Sequence, residues 1–243
     1  MNLCDRRRVR GVSCEEYRRD GCMAELAVVP ARILYRLPEG MSFVRAALVE
    51  PVSIAVHAVE RTPLGIGESC VVVGAGNIGL LVLQVLRSRG AGTIIAVDPD
   101  PGRRAQALEL GAEVALPPGP SLTAEIRRLT GGRGADRAFE VVGAAETLSA
   151  AIGAVRKGAS VTMVGNIAPI VTFAQQEAVT RELDLLGSCA SAGEYPACLD
   201  LIARGKVDVD VLVSRVAPLA EGAEWFRRLY AREPGLGKVV LTP

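Results

Sequence analysis

The sequence predicts an α/β protein built on a doubly wound parallel sheet, and three observations predict it. From about residue 69 onward, short β-branched runs alternate with longer segments of helical period. Hydrophobic residues make up 49 % of the 243 residues but aromatics only 4 %, so the core must be Ala, Val and Leu. That is the filling of a parallel sheet buried on both faces. A glycine-rich turn joins the first of these strands to the first of these helices.

In order, "SCVVVG" (69–74) reads as a buried strand and "NIGLLVLQVLRSRG" (77–90) as a helix closed by glycine. "TIIAVD" (93–98) is the second strand, and "PGRRAQALELGA" (101–112) a helix with Pro101 near its start. "AEVALPP" gives a third strand, and "SLTAEIRRLTGG" a helix with Ser121 as N-cap. "ADRAFEVVG" and "ASVTMVG" repeat the strand signal, separated by the helix "AETLSAAIGAVRKG" (145–158). "ELDLLGS" (182–188) reads as a sixth strand.

The two ends break this rhythm. Asp20-Gly21 in "RRDGCMAELAVVP" suggests a tight turn between two strands, and "RLPEGM" a loop. After residue 190 come a helix ("EYPACLDLIARG"), a strand ("VLVSRVAP"), a helix ("LAEGAEWFRRLYA") and a last strand ("GKVVLT"). The sheet domain is therefore expected to lie inside a second unit to which both ends contribute.

Composition excludes several classes of partner. With 28 basic and 27 acidic residues the net charge is +1, so no excess field points to nucleic acid or to a membrane. "LLVLQVL" is too short to span a bilayer. The first ten residues carry five charges, unlike a signal peptide. Six cysteines without CxxC spacing read as reduced thiols, and a cytoplasmic location is expected.

The strongest motif is "VVVGAGNIG", in which Gly74, Gly76 and Gly79 have G-x-G-x-x-G spacing between strand and helix, with Asn77 and Ile78 opening the helix. Gly74 permits the sharp turn, Gly76 lets backbone approach a pyrophosphate, and Gly79 lets helix and strand pack closely. The helix N-terminus adds N–H groups and partial positive charge. Asp98 closes the next strand, 22 residues after Gly76. A carboxylate there accepts hydrogen bonds from both adenosine ribose hydroxyls and repels a 2′-phosphate, which favours NAD over NADP. Arg103 is placed to reach the ribose or pyrophosphate edge, or to pair with a 2′-phosphate. Asp98 also reads as a turn residue in "DPDPG", and a methyltransferase would hold S-adenosylmethionine with a similar loop and acid.

Taken together, "DGCMAELAVVP", "AALVEPVSIAVHAV", "VVVGAGNIGLL", "AVDPDPGRRAQALELGA" and "GKVVL" resemble, in that order, the medium-chain dehydrogenase/reductase family. The nearest branch looks like the zinc-containing polyol, butanediol and threonine dehydrogenases, and the resemblance covers nearly the whole chain. It implies a Rossmann sheet at 53–188 and a remnant GroES-like, β-rich catalytic domain from 1–52 and 189–243. It implies hydride transfer between NAD and a secondary alcohol or its ketone, and a homodimer or homotetramer formed through the sixth-strand edge. Val142, Gly143, Val164, Gly165 and Asn166 match the loops that flank the nicotinamide, and Ser188 and Cys189 the loop that closes over it. The same positions also read as ordinary strand-to-helix glycine turns. Polyol members often carry an arginine in that closing loop; none stands between 188 and 195, which leaves smaller diols, amino alcohols or other secondary alcohols open.

Family members use a catalytic zinc as a Lewis acid. Glu50, an acid in the apolar run "RAALVEPVSIAVHAV", matches the acid that ligates this zinc directly or through water; it also reads as a first-turn acid on the helix near Pro51. Cys4 matches the last of four cysteines of a structural-zinc lobe. The remaining zinc ligands of the family precede everything seen here, so retained zinc is not expected. The single histidine, His57, reads as a helix residue facing solvent or the cofactor domain. The alternatives are a zinc-free, NADPH-dependent enone or quinone reductase, against which Glu50 and Asp98 weigh, and a dinucleotide-binding fragment without turnover.

Overall fold

The structure, a computed structural model, describes residues 2–12 and 18–243. It divides into two units, one formed by residues 1–50 with 191–243 and the other by 51–190.

The first unit begins with two short strands, β1 (Val9–Arg10) and β2 (Arg18–Arg19), paired in parallel with Val9 opposite Arg18. The strand expected after Asp20-Gly21 does not form: residues 21–30 are irregular, and Leu26 and Val28 are each 91 % exposed. A strand needs a neighbour to accept its ladder, and among the described residues this segment has none. A short helix, α1 (Phe43–Ala46), is capped by Ser42, whose hydroxyl accepts from the Arg45 amide. Helix α2 (Val49–Arg61) follows and carries the chain into the second unit. It tolerates Pro51 because that residue lies in the first turn, where no intrahelical N–H bond is lost.

The second unit holds β3 (Cys70–Val73), α3 (Asn77–Ser88), β4 (Ile94–Val97), α4 (Pro101–Glu109), β5 (Val114–Leu116) and α5 (Leu122–Leu129). It continues with β6 (Ala135–Glu140), α6 (Ala145–Ala154), β7 (Val155–Met163), α7 (Gln175–Thr180) and β8 (Asp184–Gly187). The six strands form one parallel sheet in the order β5-β4-β3-β6-β7-β8. This is the doubly wound Rossmann order, with its switch point between β3 and β6.

Two details differ from the sequence reading. The helix expected over 145–158 ends at Ala154, and Val155 already pairs with Ala135. The register then jumps to Arg137 opposite Ser160, and Gly158 at φ +65° supplies the turn. Ser121 occupies the N-cap position of α5, but its hydroxyl accepts no capping bond.

Alternation along the strands builds two core faces. On one, Val71, Val73, Ile95 and Val97 pack with Leu122 and Ile126 of α5 and with Leu148 and Ile152 of α6. On the other, α3 lies against the Val72 side with Leu80 through Leu86 all buried. Each fully buried leucine contributes about 2 kcal/mol, which fixes α3 and therefore the glycine turn that precedes it.

The C-terminal part of the first unit holds α8 (Tyr195–Ala203), β9 (Val213–Pro218), α9 (Gly222–Tyr230) and β10 (Lys238–Thr242), with β9 and β10 paired in parallel. Among the described residues no helix is long and apolar enough to cross a membrane.

Candidate functional site

The sheet brings most of the expected site residues to one place, the C-terminal ends of its strands. Gly74 turns the chain out of β3 at φ +101°, and a Cβ there would lie 2.6 Å from Val142 Cγ2. A Cβ on Gly79 would overlap the Gly74 carbonyl oxygen, so the first turn of α3 sits directly on the glycine turn. Gly76 is the N-cap of α3 and offers no side-chain cap. A Cβ on Gly76 would meet only Arg103 Nη1, at 4.0 Å. Asn77, Ile78 and Gly79 thus open a helix whose first-turn N–H groups have no intrahelical acceptor, beside space that a side chain would have filled. That combination suits a phosphate.

Asp98 is 3 % exposed and serves as a clamp as well as a candidate ribose acceptor. Its Oδ2 accepts from the Ala75 amide at 2.8 Å and its Oδ1 from the Asp100 amide at 2.9 Å. A carboxylate has about four acceptor positions, so lone pairs remain on both oxygens for a vicinal diol. Arg103 Nη1 stands 3.9 Å from Asp98 Oδ2, and Arg104 Nη1 donates to the carbonyls of Asp98 and Pro99. Asp100 caps α4 by accepting from the Gly102 and Arg103 amides, and these bonds hold its carboxyl below the usual range.

Across the switch point, Gly143 takes φ +88°, and a Cβ on it would overlap the Asn166 amide; a Cβ on Gly165 would overlap the Val142 carbonyl carbon. The loops after β6 and β7 therefore interlock backbone to backbone, closer than a turn alone requires. Val164 and Gly165 donate to the Glu140 carbonyl, and Ala168 to that of Gly143. Ser188 donates its amide to Met163 O, while its buried hydroxyl finds no hydrogen-bond partner among the described residues; Cys189 is exposed.

One residue here escaped the sequence reading. Glu140, the last residue of β6, is 2 % exposed, and its Oε1 accepts from both the Val142 amide (2.9 Å) and the Gly143 amide (2.8 Å). The signal was present: an acid inside "AFEVVG" is as anomalous as Glu50 in its own apolar run.

The expected metal residues lie in the other unit. Glu50, in the first turn of α2, keeps solvent access, yet crowding by its surroundings pushes its carboxyl up while the Lys238 charge pulls it back. Burial, assisted by the Glu50 charge, raises Tyr195 to about 12, and the Tyr195 ring stands 5.2 Å from that of Tyr35. Cys4 is exposed with a free thiol, and Cys14 lies outside the described residues. Among the described residues no three His, Cys, Asp or Glu side chains gather closely enough to hold a metal ion, so these residues by themselves do not fit a zinc centre. His57 is buried on α2, not turned to solvent.

A family model described as zinc-binding dehydrogenase matches residues 77–204, which is more than half of the chain. The chain belongs to that family. The medium-chain dehydrogenase/reductase resemblance, and its α/β fold with a parallel sheet, are thereby borne out. A 2-dehydro-3-deoxy-L-galactonate 5-dehydrogenase from Pseudoalteromonas atlantica is 34 % identical over 87 % of this chain and 62 % of its own length. The alcohol dehydrogenase of Thermus sp. ATN1 superposes with a TM-score of 0.89 at 31 % identity, covering 99 % of this chain and 70 % of that one. The 2R,3R-butanediol dehydrogenase of Bacillus subtilis gives a TM-score of 0.80 at 32 % identity, over 86 % and 60 %. The chain thus spans about three-fifths of the length of the first curated relatives it matches.

Proposed function

We propose that this chain binds NAD in the cleft above the parallel sheet and belongs to an enzyme that transfers hydride between NAD and a secondary alcohol of the diol or polyol type. The observation that carries the reading is the pairing of an open glycine turn at Gly76 with the buried carboxylate of Asp98, itself bonded to that turn through Ala75. The pyrophosphate would lie on the Asn77, Ile78 and Gly79 amides, and Asp98 would accept from the adenosine ribose hydroxyls. Arg103, at the mouth of the cradle, would face the pyrophosphate or the ribose edge. Val142, Gly143, Val164, Gly165 and Asn166 would line the nicotinamide half, with Ser188 and Cys189 beside it. When bound, the dinucleotide supplies the hydride acceptor; the chain's own residues hold its two halves in line and exclude water from between them.

The substrate class is supported by the family and by the relatives' activities on a butanediol and a deoxygalactonate. Glu50 and Cys4 as the remaining zinc-side positions of a chain that does not itself retain the metal, domain limits at 1–52, 53–188 and 189–243, pairing across β8 and a cytoplasmic location belong to the same proposal.

The test is calorimetric titration of the purified chain with NADH and with NADPH, with metal analysis alongside. Saturable NADH binding, about tenfold tighter than NADPH because Asp98 repels a 2′-phosphate, is expected. A folded chain that binds neither overturns the cofactor reading; one that prefers NADPH overturns the role given to Asp98.

A further inference from the structure

The switch point contains a buried acid that the cofactor cradle does not use. Glu140 ends β6, the strand next to β3, and so opens the second mononucleotide-binding half of the sheet. Burying a carboxyl group is costly unless donors receive it, and here the donors are all backbone. Oε1 takes the amides of Val142 and Gly143, the residues that turn the chain away from β6. The carbonyl of the same residue takes the amides of Val164 and Gly165, the corresponding turn after β7. Four N–H groups from two loops therefore converge on one residue. Those loops also interlock through Gly143 and Gly165, and Val142 reaches back against Gly74.

Resting on the reading that the cleft takes a dinucleotide, we propose that Glu140 is the positioning residue that preforms the seat of the second, nicotinamide-bearing mononucleotide. Its contribution is geometric. With the inward N–H groups already satisfied, the rim that the two loops present to the cleft is fixed before ligand arrives, and less ordering remains to oppose binding. The first half of the cradle does not depend on it, because Gly76, Asp98 and the start of α3 are held by bonds from Asp98 and by the packing of α3.

The proposal predicts a split between two ligands. Wild type, Glu140→Ala and Glu140→Gln are titrated with NADH and with ADP-ribose, which lacks the nicotinamide, and each is melted thermally. Glu140→Ala should weaken NADH about tenfold, the scale of one or two lost hydrogen bonds, while ADP-ribose changes by less than about twofold. Glu140→Gln, whose amide oxygen can accept the same two N–H bonds, should recover NADH affinity to within about threefold of wild type. If the alanine variant does not fold, Glu140→Asp carries the test: it keeps the charge but withdraws the acceptor by one methylene, and the same fall in the NADH to ADP-ribose ratio is expected. An unchanged ratio, or a glutamine variant that falls as far as alanine or aspartate, overturns the positioning role. A wild-type chain that binds neither ligand instead overturns the dinucleotide reading beneath it.

Discussion

The two rims of the six-stranded sheet both carry carboxylates, but they use them in opposite ways. At the N-terminal rim, Asp136 takes three strong donors, a guanidinium among them: Arg156 Nε at 2.6 Å, the Ser69 hydroxyl at 2.7 Å and the Ser69 amide at 2.9 Å. Beside it, Arg137 pairs with Glu68 at 2.8 Å. At the C-terminal rim, the carboxylates of Asp98 and Glu140 take backbone amides, and the Arg103 guanidinium stands 3.9 Å from the Asp98 carboxylate. Close ion pairs tie strands together. Amide-held carboxylates beside space kept open by glycine retain acceptor capacity, which on the proposed reading serves a ligand.

The hardest way to break this contrast is to fill the space. Gly79→Ala would press a methyl group into the Gly74 carbonyl, backbone against backbone, with no flexible atom to yield. A loss of about 3 kcal/mol, roughly 10 °C in melting temperature, is expected together with loss of NADH binding; calorimetry and titration read both. A variant that melts and binds like wild type would remove the tight turn from the account.

The N-terminal rim should respond to acid instead. Partial burial raises the Asp136 carboxyl, but the bonds from the Arg156 and Ser69 side chains and the Ser69 amide outweigh it and leave a value of about 2, below the ordinary 3.8. A folded-state value depressed in this way stabilises the protein above about pH 4, and the contribution is lost as pH falls through about 2. The full effect is about 2 kcal/mol. Asp136→Asn should lose most of that at neutral pH, flatten the acid limb of the stability profile and leave NADH affinity unchanged. Chemical denaturation from acid, at the depressed value of about 2, up to neutral pH checks the slope. A change in NADH affinity would blur the two rims.

Asp98→Asn probes the other rim. It keeps one acceptor oxygen but loses the charge and one of the amide bonds to Ala75 or Asp100, so NADH should weaken about tenfold and the preference over NADPH should shrink. The smallest effect is expected of Arg103→Ala, since its guanidinium is exposed and stands 3.9 Å from Asp98, and NADH affinity should move by less than about threefold. A larger loss would mean that Arg103 is a principal phosphate ligand.

Sequence legibility follows the same division. The parallel sheet, the glycine turn and the position of Asp98 could be read because strand periodicity and G-x-G-x-x-G spacing are local patterns. Glu140 is marked only as an acid in an apolar run; its partners, and the Asp136 clamp, could not be read, because nothing in "AFEVVG" or "GADR" says that a side chain bends back to its own loop or meets Arg156, 20 residues on. The boundary at Ala154 was missed because Ala-Val-Arg-Lys suits helix and strand alike, and tertiary pairing with Ala135 decided it. The hairpin expected at Asp20-Gly21 failed for the complementary reason: turn chemistry was present, but among the described residues a paired neighbour was not.

The most direct test is a crystal of the purified chain grown with NADH. The pyrophosphate should lie over Gly76 and the first-turn amides of α3, with both adenosine ribose hydroxyls within hydrogen-bond distance of Asp98. A dinucleotide bound elsewhere, or a cleft left empty at saturating NADH, would contradict the account.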